Sequence, residues 1–158
     1  MARGFFSLYN LGMKISTKKG DEGESELRGG QRLSKGDCAF DFLGTMDELQ
    51  SWIGLARVAC GSGLGGRLRI LQEELYVMMG GGEGGDVGRL EEWGRAYGDV
   101  GAGFVVPGDK GEASARLHVA RTVCRRCERE AVRAGCKSEV LRYLNRLSDF
   151  LFMAAEDF

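Results

Sequence analysis

Over residues 39–59 the apolar side chains Phe42, Leu43, Met46, Leu49, Ile53 and Ala56 recur at three- and four-residue intervals. At about 100° per residue, that spacing gathers them on one side of an amphipathic helix of about 20 residues. The pattern then repeats along the chain. Leu68, Leu71, Leu75 and Met78 share a face over residues 64–80, and a short helix weakened by Gly88 and Gly94 is expected over 86–97. A fourth helix is expected to run from Ser114, as its N-cap, to about 134, where Gly135 stands as a C-cap would. Val140, Leu144, Leu147, Leu151 and Ala154 line a fifth over 138–156. The single proline, Pro107, and the glycine clusters at 61–66, 80–88 and 98–111 fall between these segments, where they break helices. An all-α, single-domain bundle of about five helices is the fold these spacings specify.

At 158 residues the chain is long enough to bury one core. Its net charge of −1 supplies no overall basic field for nucleic acid. No apolar run approaches the roughly 20 residues that span a bilayer, so no membrane association is expected. The opening "MARGFFSLYNLG" lacks the length and cleavage pattern of a signal peptide. Met13 reads as an alternative start, which makes residues 1–13 an expected disordered extension and 14–158 the domain proper. Residues 14–37 are polar, glycine-rich and without helical period, and are expected to form a loop, ordered by itself or by a ligand. Five cysteines, an odd number without regular spacing, suit a reduced, cytoplasmic protein.

The stretch "LHVARTVCRRCERE" carries the chemistry most in need of explanation. Arg121, Arg125, Glu128 and Val132 fall within about one-sixth of the helix circumference, opposite Val119, Ala120, Val123, Cys127 and Ala131. Either this is a solvated face with internal Arg–Glu support, or it is an anion site. Residues 116–146 hold nine Lys/Arg against three Asp/Glu in a chain that is near neutral, a local excess that suits a polyphosphate. His118, Cys124, Cys127 and Cys136 nominally make a zinc set, but Cys124 and Cys127 sit mid-helix without a knuckle turn, which favours a core role. His118 by itself reads as a hydrogen-bonded structural residue. "TKKGDEGES" has the glycine and lysine of a phosphate-cradling loop without P-loop spacing. Asp47 and Glu48 lie together on the first helix, and Asn145 and Asp149 form an i,i+4 pair on the last. Asn145 stands among leucines, where it needs a partner. Spacing leaves a structural hydrogen bond and metal binding both open.

Taken in order, "TKKGDEG", "GTMDELQSWIGLAR", "FVVPG", "ASARLHVARTVCRRCER" and "YLNRLSDFLF" resemble the PduO-type ATP:cob(I)alamin adenosyltransferases. The resemblance implies a ferritin-like bundle assembled as a homotrimer, with active sites between subunits. It implies transfer of the 5′-deoxyadenosyl group of ATP to the cobalt of cob(I)alamin, with triphosphate released and Mg2+ accompanying the ATP phosphates. Thr17, Lys18, Gly20, Asp21 and Gly23 would then form the loop that closes over ATP, and Lys35 would reach its phosphates. Arg125 and Glu128 match the ATP-contacting pair, Asn145 the residue near the phosphates and Mg2+, and Asp47 and Arg121 an intersubunit salt bridge that shapes the site. Phe104 matches the aromatic residue below the corrin, where it displaces the lower axial base. A reductase and an adenosylcobalamin-dependent enzyme are the implied partners. This chain departs from the pattern at Asp109, where a second glycine is common, and in its short, glycine-rich segment 80–103. It departs again at Glu156, which stands for an arginine that precedes a pocket-walling tail. A carrier of ATP or adenosylcobalamin with little turnover, and a non-catalytic helical scaffold, stay open beside the enzyme.

Overall fold

The computed structural model describes residues 16, 18, 20–82, 84–98, 100–101 and 103–158; the expected extension 1–13 and Thr17 lie outside them. The chain divides into two compact units, one through Gly36 and one covering Asp37–Phe158.

The first unit is built on a hairpin. Strand β1, Glu24–Glu26, pairs antiparallel with β2, Arg32–Ser34, in the register Glu24↔Ser34, Ser25↔Leu33 and Glu26↔Arg32. Gly29 and Gly30, at φ 115° and 87°, turn the chain through the left-handed region, and Leu27 N–H closes the turn on the Gln31 carbonyl at 2.8 Å. The loop expected over 14–37 therefore contains a small sheet. Only Ser25 and Leu33 of its strands are even half-buried, so no alternation of apolar residues announces it.

The second unit holds five helices: α1 Cys38–Ala59, α2 Ser62–Met79, α3 Val87–Arg95, α4 Glu112–Arg133 and α5 Ser138–Glu156. Asp37 caps α1, its carboxylate accepting from Ala39 N–H at 2.9 Å. Met46, Leu49 and Ile53 of α1, Leu117 and Cys124 of α4, and Leu144, Leu147 and Leu151 of α5 are all fully buried, so these three helices make the centre of the core. Arg116 Nη1 donates to the Leu55 carbonyl at 2.9 Å, and Arg126 pairs with Glu48. Residue numbers rise along α4 as they fall along α1, so the two run antiparallel. Helices α1 and α2 exchange amides: Gln50 Nε2 donates to the Gln72 carbonyl at 3.0 Å, and Gln72 Nε2 to the Gln50 carbonyl at 3.1 Å.

Helix α3 buries only Leu90 and Gly94 of its own residues. It is held by Glu74 of α2, whose carboxylate accepts from Asp86 N–H at 3.0 Å, from Arg89, and from Tyr143 O–H of α5 at 2.8 Å. Trp93 and Tyr97 add ring contacts to Phe150 at 5.7 and 6.0 Å. Gly94 is there because a Cβ would lie 2.6 Å from the Met153 methyl.

One expectation about the helix ends needs correction. Helix α4 begins at Glu112, and Ser114 is buried inside its first turn rather than capping it. Gly111, at φ 92°, turns the chain into the helix, so backbone conformation and not a hydroxyl sets the start. No helix is long and apolar enough to cross a membrane among the described residues.

Candidate functional site

Arg121 and Arg125 stand one turn apart on α4. The Arg121 Nε is buried and has no hydrogen-bond partner among the described residues. Its guanidinium lies 5.7 Å from the Phe152 ring centroid. Burial pulls its pKa down, the like charge of Arg125 adds to that, and Glu156 opposes both. Arg125 is exposed. One turn on, Glu128 Oε1 accepts from Asn145 Nδ2 at 3.2 Å, joining α4 to α5, and Asn145 Oδ1 accepts from Arg146. Arg146 in turn lies 3.3 Å from Asp149. Helix geometry thus places Arg121, Arg125, Glu128 and Asn145 in one patch of two cations, a carboxylate and an amide.

The N-terminal unit gathers its own set. Lys35 Nζ donates to the Gly20 carbonyl at 2.6 Å and Lys35 N–H to the Gly23 carbonyl at 2.8 Å, while Asp21 N–H turns back on the Lys18 carbonyl at 3.3 Å. A Cβ on Gly20 would lie 2.9 Å from the Lys35 ammonium, so glycine permits this close approach. Lys18 adopts φ 60°, a left-handed conformation that costs a non-glycine residue about 1–3 kcal/mol. Lys18, Gly20, Asp21, Gly23 and Lys35 therefore share one loop, folded back on itself by the lysine.

Two candidates stand apart from these groups within one chain. Asp47 is exposed on α1 and forms no ion pair with Arg121 among the described residues. The Phe104 ring is fully exposed, as is much of Val106. The loop carrying them still turns at Asp109, whose N–H donates to the Val106 carbonyl at 3.3 Å.

The cysteines belong to the core. Cys124 and Cys127 are fully buried, and the Cys124 thiol donates to the Leu144 carbonyl at 3.2 Å. Burial pushes the Cys124 thiol well above its ordinary range and Cys127 up to about 12, so neither is a ready thiolate. No group of three or more His, Cys, Asp or Glu is arranged to hold a metal among the described residues. Replacing both cysteines by alanine is expected to cost about 1–2 kcal/mol of stability and to leave turnover within about twofold. Thermal melts and initial rates check this; stoichiometric zinc lost together with activity would contradict it.

Sequence reasoning missed one cluster. His118, Lys110 and Glu156 meet at the end of α5, with His118 Nε2 3.1 Å from Glu156 Oε1 and Lys110 Nζ 3.4 Å from Glu156 Oε2. His118 is the expected hydrogen-bonded structural histidine. Its partner Glu156 is 38 positions away in the chain, so no local spacing reveals it.

Residues 15–157 match the cobalamin adenosyltransferase family. The chain is 37% identical over 172 residues to the corrinoid adenosyltransferase of Bacillus subtilis, covering 90% of this chain and 85% of that protein. It is 35% identical over 164 residues to a corrinoid adenosyltransferase of Citrobacter freundii, covering 90% and 93%. Among solved structures it resembles a phenylalanine-to-alanine variant of a PduO-type ATP:corrinoid adenosyltransferase from Lactobacillus reuteri complexed with cobalamin and ATP. There the TM-score is 0.82 at 31% identity, covering 91% of this chain and 92% of that one.

Proposed function

The chain belongs to the cobalamin adenosyltransferase family, and on that premise we propose how its own residues transfer the 5′-deoxyadenosyl group of ATP to cob(I)alamin. The cobalt of cob(I)alamin is itself a strong nucleophile, so no side chain need be activated. A Co–C5′ bond forms as the C5′–O bond breaks, and the triphosphate leaves with the electron pair. The protein's work is to hold C5′ in line with cobalt and to neutralise the departing anion.

The observation that carries this reading is the unpartnered, buried Nε of Arg121 beside the exposed Arg125. A buried donor without an acceptor costs about 1–3 kcal/mol. Arg57, Arg89 and His118 each hold such an atom too, and what sets Arg121 apart is its place beside Arg125, where an anion from outside the chain would be received. Two groups supply it here: Asp47 of a neighbouring subunit in a homotrimer, and the triphosphate. Arg125 then receives phosphate oxygens on its fork. The Glu128–Asn145 hydrogen bond fixes the neighbouring polar edge for the nucleotide. Thr17, Lys18, Gly20, Asp21, Gly23 and Lys35 close over ATP, and Phe104 lies beneath the corrin.

Mg2+ fits this patch poorly as a resident ion. Asn145 Oδ1 already accepts from the Arg146 guanidinium, and Glu128 Oε1 from Asn145. The cation is read instead as a companion of the ATP phosphates, keeping most of its own waters. A reductase delivering the Co(I) state and an enzyme consuming adenosylcobalamin complete the proposed partners, in a reducing compartment such as the cytoplasm that suits five free cysteines.

The test is conversion of chemically reduced cobalamin with ATP and Mg2+, followed by absorbance, with light scattering on the same sample. Adenosylcobalamin formation by a trimer is expected. Saturable MgATP binding without conversion makes the protein a carrier, and no saturable heat on titration makes it a scaffold.

A further inference from the structure

Glu156 closes α5, and its side chain is only 11% exposed. Three elements converge on it. His118 of α4 approaches one carboxylate oxygen, while Lys110, from the loop before α4, approaches the other and donates also to the Glu156 carbonyl. Phe152, one turn earlier on α5, meets the His118 ring edge-on at 6.1 Å and the Arg121 guanidinium at 5.7 Å. His118, Arg121, Phe152 and Glu156 thus pack as one cluster within the bundle, and Lys110 reaches it from outside.

The loop has little else to hold it. Its two turn hydrogen bonds, Asp109 N–H to Val106 and Gly111 N–H to Gly108, are internal. Lys110 makes the only side-chain hydrogen bond or ion pair between residues 103–111 and the bundle among the described residues. Phe104 stands six residues before that anchor, a span of at most about 20 Å, and Pro107 stiffens the interval.

We propose that Lys110 and Glu156 are positioning residues for adenosyl transfer: their latch, seated on His118, sets where the loop presents Phe104 to the corrin. This rests on the reading of Phe104 as the corrin-facing residue. The glutamate that stands for the family's arginine is thereby given a task of its own.

The test uses the full chain with Lys110→Met, which keeps the apolar stem and removes the ammonium. The cobalamin KM is expected to rise about fivefold or more while the ATP KM moves less than about twofold. Lys110→Arg, retaining a cation, is expected to restore the cobalamin KM. Combined with Phe104→Ala, the Lys110→Met effect should be less than multiplicative, since both act on one ring. Equal changes in both KM values, no change in either, or a lowered melting temperature alone would overturn the proposal. Should the wild-type protein adenosylate nothing, the functional reading fails first, and amide hydrogen exchange of residues 103–111 still decides the latch. Faster exchange in Lys110→Met supports it, and unchanged exchange rejects it.

Discussion

Arg125→Lys is expected to lower turnover at least about tenfold, a loss of roughly 1.4 kcal/mol of transition-state stabilisation. Lysine retains the charge but is a point cation on a flexible stem, whereas the guanidinium meets two phosphate oxygens in one plane. The demand on that fork grows as the C5′–O bond breaks and charge gathers on the triphosphate, so kcat should fall more than the ATP KM rises. The fold should not notice. Arg125 is exposed and contributes nothing to the core formed by its neighbours Val123, Cys124 and Cys127. Initial rates against ATP, with circular dichroism as control, check the expectation. An unchanged rate would return Arg125 to an ordinary solvated helix face.

Phe104→Ala separates two forms of the second substrate. The ring is fully exposed in one chain, so its removal should leave the melting temperature and MgATP affinity nearly unchanged. Adenosylation starting from cob(II)alamin with a reductant should fall by at least about tenfold. Chemically prepared cob(I)alamin should suffer less. An aromatic wall under the corrin acts by exclusion: cobalt without a lower ligand is easier to reduce, and the ring keeps base and water away. If the variant unfolds, or loses ATP binding and both activities alike, Phe104 is a packing residue and the corrin lies elsewhere.

The helices were legible because their buried faces follow one period. Met46, Leu49 and Ile53, which set the expectation for α1, are all without exposure, and α5 spans the residues its leucines mark. Ends obeyed other physics. Ser114 has the chemistry of a cap, but the left-handed Gly111, three residues earlier, is the cap of α4. The hairpin escaped notice because strands of three residues with one half-buried position each carry no alternation to read. Phe104 shows the converse limit: an aromatic residue is expected to be covered, and none of the described residues covers it. For the site, helical spacing alone placed Arg121, Arg125 and Glu128 together. Their assignment to a nucleotide came from ordered sequence blocks resembling a family. The Lys110–Glu156 contact crosses 46 positions and left no mark on either.

The exchanged amides of Gln50 and Gln72 carry a consequence for how this sequence can drift. Each side chain donates to the other's main-chain carbonyl, using the second lone pair of an oxygen already engaged in its helix. A Cβ on Gly54 would come 2.9 Å from the Gln72 amide nitrogen. The two glutamines are not tied to each other, because a substitution at one removes its own donation and leaves in place the main-chain carbonyl that the other uses. Gly54 and Gln72 are tied, since a side chain at Gly54 competes for the space of that amide. Homologues that keep Gln72 packed here should keep the glycine, while Gln50 can drift at the loss of one hydrogen bond.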